Sequence, residues 1–313
     1  MNAEHDNEAR ILDILNKHYP MSFDRIEFIR DSGCTAYGVY AGESKYFLRV
    51  TKPMFFDTAS KSLDIHLYLQ EQGFDVPPVI FTKDESPCMQ ASDAEGKYFY
   101  VLYEFIEGVE VDPESDAERI GAFIGRLHQV MKGYPGELTR NDRYYYVDKY
   151  IHILREKKYD KADEFAAYGE KLWERVKDLP HGYCHGDLYR GNILKTAEGR
   201  LYILDFDTSC KGFPMYDPAL ICNLTDYFEL DDDGYTKSRR VYERFLTEYL
   251  KYRSLSDKEK EAFYDLIAIY HFALQATMIE IFGMDCVDNE FLDRQLRWLY
   301  RWKGQCDEHR GID

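Results

Sequence analysis

The chain has 313 residues and a mass of 37.0 kDa, with 40 Lys and Arg against 57 Asp and Glu, a formal charge of −17. Phosphate backbones and anionic membranes are gripped by clustered basic side chains, so this balance excludes a general nucleic-acid binder and a membrane-surface protein. Hydrophobic residues at 45% and charged residues at 31% belong to a globular chain near the size at which one core becomes two, and 27 tyrosines are its one compositional outlier.

In chain order, the opening MNAEHDNEAR has neither the basic start nor the apolar segment of a leader, and no run of about 18 apolar residues marks a membrane helix. The seven cysteines (34, 88, 184, 210, 222, 286 and 306) form no Cys-x-x-Cys pair. The expectation is a cytoplasmic protein with reduced thiols, no structural zinc and no membrane segment. Residues 8–18 read as a short amphipathic helix, and alternation takes over in 25–29, 36–41 and 45–50. Gly42, Glu43 and Ser44 separate the last two runs as a hairpin loop. A helix over 63–72 stops at Gly73 ahead of Pro77 and Pro78, and a strand follows over 98–105. Beyond Gly108 the period turns helical: 117–131 places Ile120, Phe123, Ile124 and Leu127 on one face. Ser256 and Glu259 form a capping box for a helix reaching Phe282, with Phe263, Leu266, Ile267, Tyr270, Leu274, Met278 and Ile281 as its stripe. Trp298, Leu299 and Trp302 make a further stripe that reads as core.

A β-rich interruption, CHGDLYRGNILKTAEGRLYILDFDTS (184–209), sits inside this helical region, with short strands at 193–194 and 201–204 joined through Glu198-Gly199. It holds the chemistry. His185, Gly186 and Asp187 are followed five positions after the Asp by Asn192, and Asp205-Phe206 begins thirteen positions after that. Taken singly, an Asp or Asn beside Gly is only a turn residue. Together they are more, since HGDxxxxN alone arises by chance in about one chain in a thousand of this length, and Asp205-Phe206 at this distance makes coincidence rarer still. Phosphoryl transfer needs an acceptor for a hydroxyl proton and oxygen ligands for magnesium. Asp187 suits the first task, and Asn192 and Asp205, at the ends of the two strands, suit the second. His185 completes the set, more as a brace for the loop than as a group on substrate.

HGDLYRGNIL followed by ILDFD resembles the aminoglycoside phosphotransferase and choline kinase family, a branch of the protein-kinase-like fold. The resemblance implies an α+β, bilobal protein-kinase-like chain. Residues 1–103 would form an N-terminal nucleotide-binding lobe, a small antiparallel sheet with one main inserted helix; 104–108 would be a hinge, and 109–313 a larger, mostly helical lobe with the catalytic loop and acceptor site. It implies ATP and Mg2+, Asp187 as base, and Asn192 and Asp205 as metal ligands. It makes DSGCTAYGV the turn over the phosphates, where Gly33 allows close backbone approach and Ser32 and Thr35 offer hydroxyls. As a bare pattern, two glycines in a β-lobe equally mark an ordinary hairpin. Arg49 stands where the family has Lys or Arg for the α- and β-phosphates; it keeps the charge with a bulkier fork. For the acid expected on the following helix, alignment offers Ser62, with Asp64 nearby: either Asp64 pairs with Arg49 or the ion pair is absent. Adenine would be read by the carbonyl of Glu104 and the amide of Ile106. Asp217 would buttress the catalytic loop, or be a plain helix N-cap before Pro218.

Gly186 stands where eukaryotic protein kinases have an arginine that binds an activation-loop phosphate, and only eleven residues separate Asp205 from Asp217. Both features favour a small-molecule hydroxyl acceptor over a docked peptide. Asp226, Glu229, Asp231, Asp232 and Asp233, with no base among them, and Tyr144, Tyr145 and Tyr146 suit a cationic, amine-bearing acceptor of aminoglycoside, choline or homoserine type. Taken alone, each is a solvated acidic loop or a half-buried tyrosine run. The alternatives are a protein kinase of the spore-coat or stress type and a nucleotide-binding pseudokinase scaffold. Labelling of polypeptides by labelled ATP marks the first, and nucleotide binding without turnover the second.

Overall fold

The computed structural model describes residues 2–31, 34–92 and 96–310, with the side chains of 2–7 and 310 left aside. Its chain divides into two compact units, residues 1–110 with 192–207, and residues 111–191 with 208–313. The hairpin at 193–203, read from sequence as part of the helical region, therefore groups with the first unit. Its partner is the short strand that follows the 105–108 connector.

In the first unit, helix α1 (Asn2–His18) precedes strands β1 (Arg25–Asp31), β2 (Cys34–Ala41) and β3 (Ser44–Thr51), then helix α2 (Phe56–Glu71), β4 (Met89–Ser92) and β5 (Lys97–Glu104). These strands form one antiparallel sheet in the order β1-β2-β3-β5-β4. The β2–β3 turn is tighter than the three-residue loop read from sequence: Ala41 pairs with Ser44, so Gly42 and Glu43 alone make it. Period-two alternation gives the sheet two buried faces. Leu48, Val50, Tyr100 and Leu102 join Ile11 and Leu15 of α1, and Tyr19 just beyond it, in one core. Phe99 and Val101 turn the other way, onto Ala59 and Leu63 of α2. Arg49 lies between Leu48 and Val50 and opposite Val101, so it belongs to the α2 side. A separate three-stranded sheet joins β6 (Val109–Glu110), β8 (Ile193–Lys195) and β9 (Leu201–Ile203) in the order β6-β8-β9.

The second unit contains α3 (Pro113–Val130), capped by Asp112, whose side chain accepts the Glu114 amide at 3.1 Å, then a π turn at Tyr144–Asp148, α4 (Lys149–Glu156) and α5 (Ala162–Val176). Strands β7 (Gly182–Cys184) and β10 (Cys210–Gly212) pair antiparallel and flank the interruption at its two ends. Helices α6 (Tyr216–Ile221), α7 (Gly234–Tyr249), α8 (Asp257–Phe282) and α9 (Asn289–Arg310) complete it. The Ser256–Glu259 capping box starts α8 as read. The stripe reading of α8 needs correction. Ala262, Ala268, Ile269, Phe272, Ala273 and Ala276 are buried as fully as Phe263 and Ile267, whereas Met278 and Ile281 are exposed. The reason is that α8 is central, packed by α4, α5, α6 and α9, and has no solvent face over most of its length. For the same reason α8 is, among the described residues, a helix long and apolar enough to cross a membrane, contrary to the reading that no stretch is; most of that stretch is buried inside the protein. Trp298, Leu299 and Trp302 are core.

Candidate active site

The residues singled out by sequence fall in both units, and each set is described within its own. In the first unit, Asp205 follows β9 and sits at φ +60°, a left-handed conformation that non-glycine residues rarely adopt. Asn192 ends a short turn before β8 and is buried, and its carbonyl accepts the Leu204 amide at 2.9 Å, closing the hairpin one residue before Asp205. Arg49 Nη1 approaches Asp205 Oδ1 at 3.7 Å, and Arg49 Nη2 donates to Asp207 Oδ2. Burial disfavours the guanidinium charge, but Asp207 and Asp205 outweigh it and hold the group protonated. Asp64 is exposed on α2, so the carboxylates that pair with Arg49 come from the hairpin instead.

Asp205 Oδ1 and Asp207 Oδ1 are both buried and accept no hydrogen bond. The orphaned oxygen of Asp205, with the side-chain oxygen of the buried Asn192, suits a hard cation that completes its shell with nucleotide phosphates and water. Among the described residues, no group of three or more His, Cys, Asp or Glu is placed to hold a metal by protein ligands alone. Of the phosphate turn, Ser32 and Gly33 lie outside the described residues. The Thr35 hydroxyl donates to Asp31 Oδ1 at 2.9 Å, and Lys52 and Thr35 together hold the Asp31 carboxyl below its usual range. Glu104 ends β5 with its amide given to the Pro78 carbonyl at 2.8 Å, and Ile106 lies in the irregular stretch beyond it.

In the second unit, β7 delivers the chain into His185, Gly186 and Asp187. Asp217 is fully buried in the first turn of α6, and Met215, not Asp217, is the N-cap, which removes the plain-cap reading. Asp217 Oδ2 accepts the His185 amide at 2.8 Å and Oδ1 accepts the Gly186 amide at 3.0 Å. His128 of α3 adds a third bond, its Nε2 donating to Asp217 Oδ2 at 2.9 Å while its Nδ1 is hydrogen-bonded with the Tyr249 hydroxyl at 2.7 Å. Gly186 adopts φ +86°, and a Cβ there would stand 2.4 Å from the Thr208 carbonyl oxygen. Only glycine fits, because Thr208 is itself tied to the loop through its hydroxyl, which donates to the His185 carbonyl at 2.9 Å. His185 is completely buried.

Asp187 is half-buried among tyrosines. Burial raises the Tyr145 hydroxyl, with Cys210 and then Asp187 adding to it, and burial followed by the charge of Asp187 pushes that of Tyr270 up to about 12, so both stay neutral donors. The three consecutive tyrosines have separate fates. Tyr144 is exposed, Tyr145 lies near Asp187, and Tyr146 is core, stacked on Phe213 with centroids 5.1 Å apart. The acidic run also differs from its reading. Asp226 caps the Phe228 and Glu229 amides at 2.8 Å, Asp231 and Asp233 pair with Lys237, and Asp232 pairs with Arg301. The bases missing from the run are supplied from α7 and α9, and the acids lie exposed on the surface.

A family model described as the phosphotransferase enzyme family (APH) matches residues 29–264, which include β2, β3, the loop, the hairpin and Asp217. The chain belongs to the APH phosphotransferase family. Among curated proteins it is similar to the homoserine kinase of Rhizobium meliloti, 29% identical over 171 residues, covering 50% of this chain and 49% of that protein. The homoserine kinase of Rhodospirillum rubrum is 34% identical over 90 residues, 29% of this chain and 26% of its own. The chain thus spans half or less of the length of these relatives. Solved structures share the fold along nearly the whole chain. An amicoumacin kinase superposes with a TM-score of 0.73 at 19% identity, covering 97% of this chain and 96% of its own. A choline kinase of Streptococcus pneumoniae gives 0.61 at 16% identity, covering 96% and 99%. This is the bilobal protein-kinase-like α+β fold that the motifs imply.

Four residues of these constellations escaped the sequence reading: Asp207, Thr208, His128 and Tyr249. Asp207, two positions beyond Asp205, had a signal in the paired acids of ILDFD. His128 and Tyr249 sit on ordinary amphipathic helices and had none.

Proposed function

We propose that this phosphotransferase moves the γ-phosphoryl of ATP to the hydroxyl of a small, amine-bearing molecule, with Mg2+ as the metal. The observation that carries the reading is the grip of Asp217 on the His185 and Gly186 amides, which fixes the backbone one residue ahead of Asp187. Preorganisation of that kind is what phosphoryl transfer asks of a protein, since positioning and charge compensation do most of the catalysis.

Asp187 orients the acceptor hydroxyl and takes its proton as the oxygen attacks. Tyr145 and Tyr270, neutral beside it, offer hydroxyls to polar atoms of the acceptor. Arg49 grips the α- and β-phosphates, and the backbone of Glu104 and Ile106 reads adenine. Asn192 and Asp205, with their oxygen ligands, hold Mg2+, which when bound neutralises the phosphate charge. The amine preference draws support from the homoserine kinases among the relatives, whose name implies an acceptor with hydroxyl and amine on one small skeleton. The surface acids support it less, being paired. Seven free thiols and ATP as donor agree with a cytoplasmic site of action.

The test is acceptor-dependent ADP release across homoserine, ethanolamine, choline, aminopropanol and aminoglycosides. Release with at least one amine-bearing alcohol is expected. A flat response across the panel from protein that binds ATP contradicts the acceptor class.

A further inference from the structure

The inserted helix presents no carboxylate to Arg49. Its inward row is Ala59, Ser62, Leu63 and His66, all buried, while Asp64 faces solvent. His66, on this row, feels the charge of Arg49 but is no counter-ion. Its Nε2 is 2.7 Å from the Pro77 carbonyl, which fixes it as a donor there, and burial together with the Arg49 charge lowers its pKa to about 4. The ring packs on Tyr103 at 4.9 Å and edge-on to Phe206 at 5.7 Å between centroids. His66 therefore adds a neutral aromatic, not an acid, to the buried face of α2.

A guanidinium buried on the α2 side of β3 still needs a fixed anion to set its direction. Two carboxylates meet it, and they differ. Asp205 stands 3.7 Å from Nη1 and accepts no hydrogen bond on that oxygen, whereas Asp207 accepts a direct hydrogen bond from Nη2. Phe206 lies between them in sequence and is anchored under His66, which fixes the backbone from which Asp207 reaches back.

We propose that Asp207 is the positioning residue for Arg49, doing from the hairpin what an acid on the inserted helix would otherwise do. Asp205 is left for the metal. The proposal rests on the reading of Arg49 as the phosphate-gripping group. It also makes a distinction: Asp207 acts on nucleotide through Arg49 and not as a metal ligand.

ATP binding to the full chain is measured by titration calorimetry, with Mg2+ and again in EDTA, for the wild type, Asp207→Asn, Asp207→Glu, Arg49→Gln and the Arg49→Gln/Asp207→Asn double variant. Urea midpoints check that each is folded. Asp207→Asn is expected to weaken binding about 10- to 100-fold in both media, the range for removing a residue that orients a ligand group. Asp207→Glu recovers most of the loss, and the double variant binds no more weakly than Arg49→Gln alone. Wild-type affinity in Asp207→Asn, a loss seen only with Mg2+, or a further full loss on top of Arg49→Gln each overturns the proposal. Failure of the wild type itself to bind ATP overturns the phosphotransferase reading as well, and shows in that arm alone.

Discussion

Asp217 Oδ1 accepts the amide of Gly186 at 3.0 Å, thirty-one residues away along the chain, and the other oxygen of the same carboxylate is shared by the His185 amide and His128 Nε2. A completely buried carboxylate is thereby fully occupied by donors, and the peptide ahead of Asp187 cannot shift without breaking charge-assisted bonds.

Replacing Asp217 by Asn leaves an amide nitrogen facing an N–H donor. We expect a loss of about 2 kcal/mol in stability, since hydrogen bonds to a charged group are being removed in a buried site. A fall in kcat larger than any change in KM for ATP should accompany it. Urea unfolding and initial rates check this, and an unchanged midpoint with unchanged kcat contradicts the bracing role.

Gly186→Ala places a methyl group 2.4 Å from the Thr208 carbonyl oxygen at a φ of +86°. Strain and clash together should cost about 1–3 kcal/mol and displace Asp187. The expected signature is loss of turnover with nucleotide affinity retained, read by calorimetry beside rate measurements.

Gly121 lies where α3 crosses α7, and a Cβ there would stand 2.1 Å from the Phe245 carbonyl oxygen. Gly121→Ala forces two helix backbones apart and should lower stability by about 1–3 kcal/mol. Because the contact involves none of the groups assigned to chemistry, kcat of the folded fraction should match the wild type. A midpoint equal to the wild type contradicts the close packing.

His271 is buried in α8, donates through Nδ1 to Gln295 Oε1 at 3.0 Å, and is stacked on Tyr227 with centroids 4.6 Å apart. Burial lowers its pKa from 6.5 to about 4, so unfolding takes up a proton between those values. Its contribution to stability is complete above pH 6.5 and is lost as the pH falls toward 4, at up to about 1.4 kcal/mol per pH unit. His66, also lowered to about 4, acts in the same direction. Urea midpoints between pH 7 and 4.5 should therefore decline, and His271→Phe should make the decline shallower. Parallel declines in the two proteins contradict the assignment.

Features encoded within a few residues were legible before the fold. The alternation of β2, β3 and β5 and the capping box of α8 are local signals. So is the spacing of Asp187, Asn192 and Asp205, because loop and hairpin set it. The start of α2 was not legible, since FDTAS carries no apolar stripe and a turn at Pro53–Phe55 leads into it. Strands β7 and β10, three residues each, are too short for a period to show. Polar partnerships were hidden for another reason: Arg49 and Asp207 are 158 residues apart, and His128 and Asp217 are 89 apart. The acidic run misled in the same way, because Arg301, which neutralises Asp232, arrives from α9.

The central claim is that Asp187 serves the acceptor hydroxyl in a phosphoryl transfer from ATP. Its most direct test compares wild type and Asp187→Ala for acceptor-dependent ADP release, with ATP affinity measured on the same preparations. We predict that the variant stays folded and binds ATP as the wild type does, while turnover falls by about 10²–10⁴, the contribution of a positioned general base. Turnover equal to the wild type in Asp187→Ala would contradict the account.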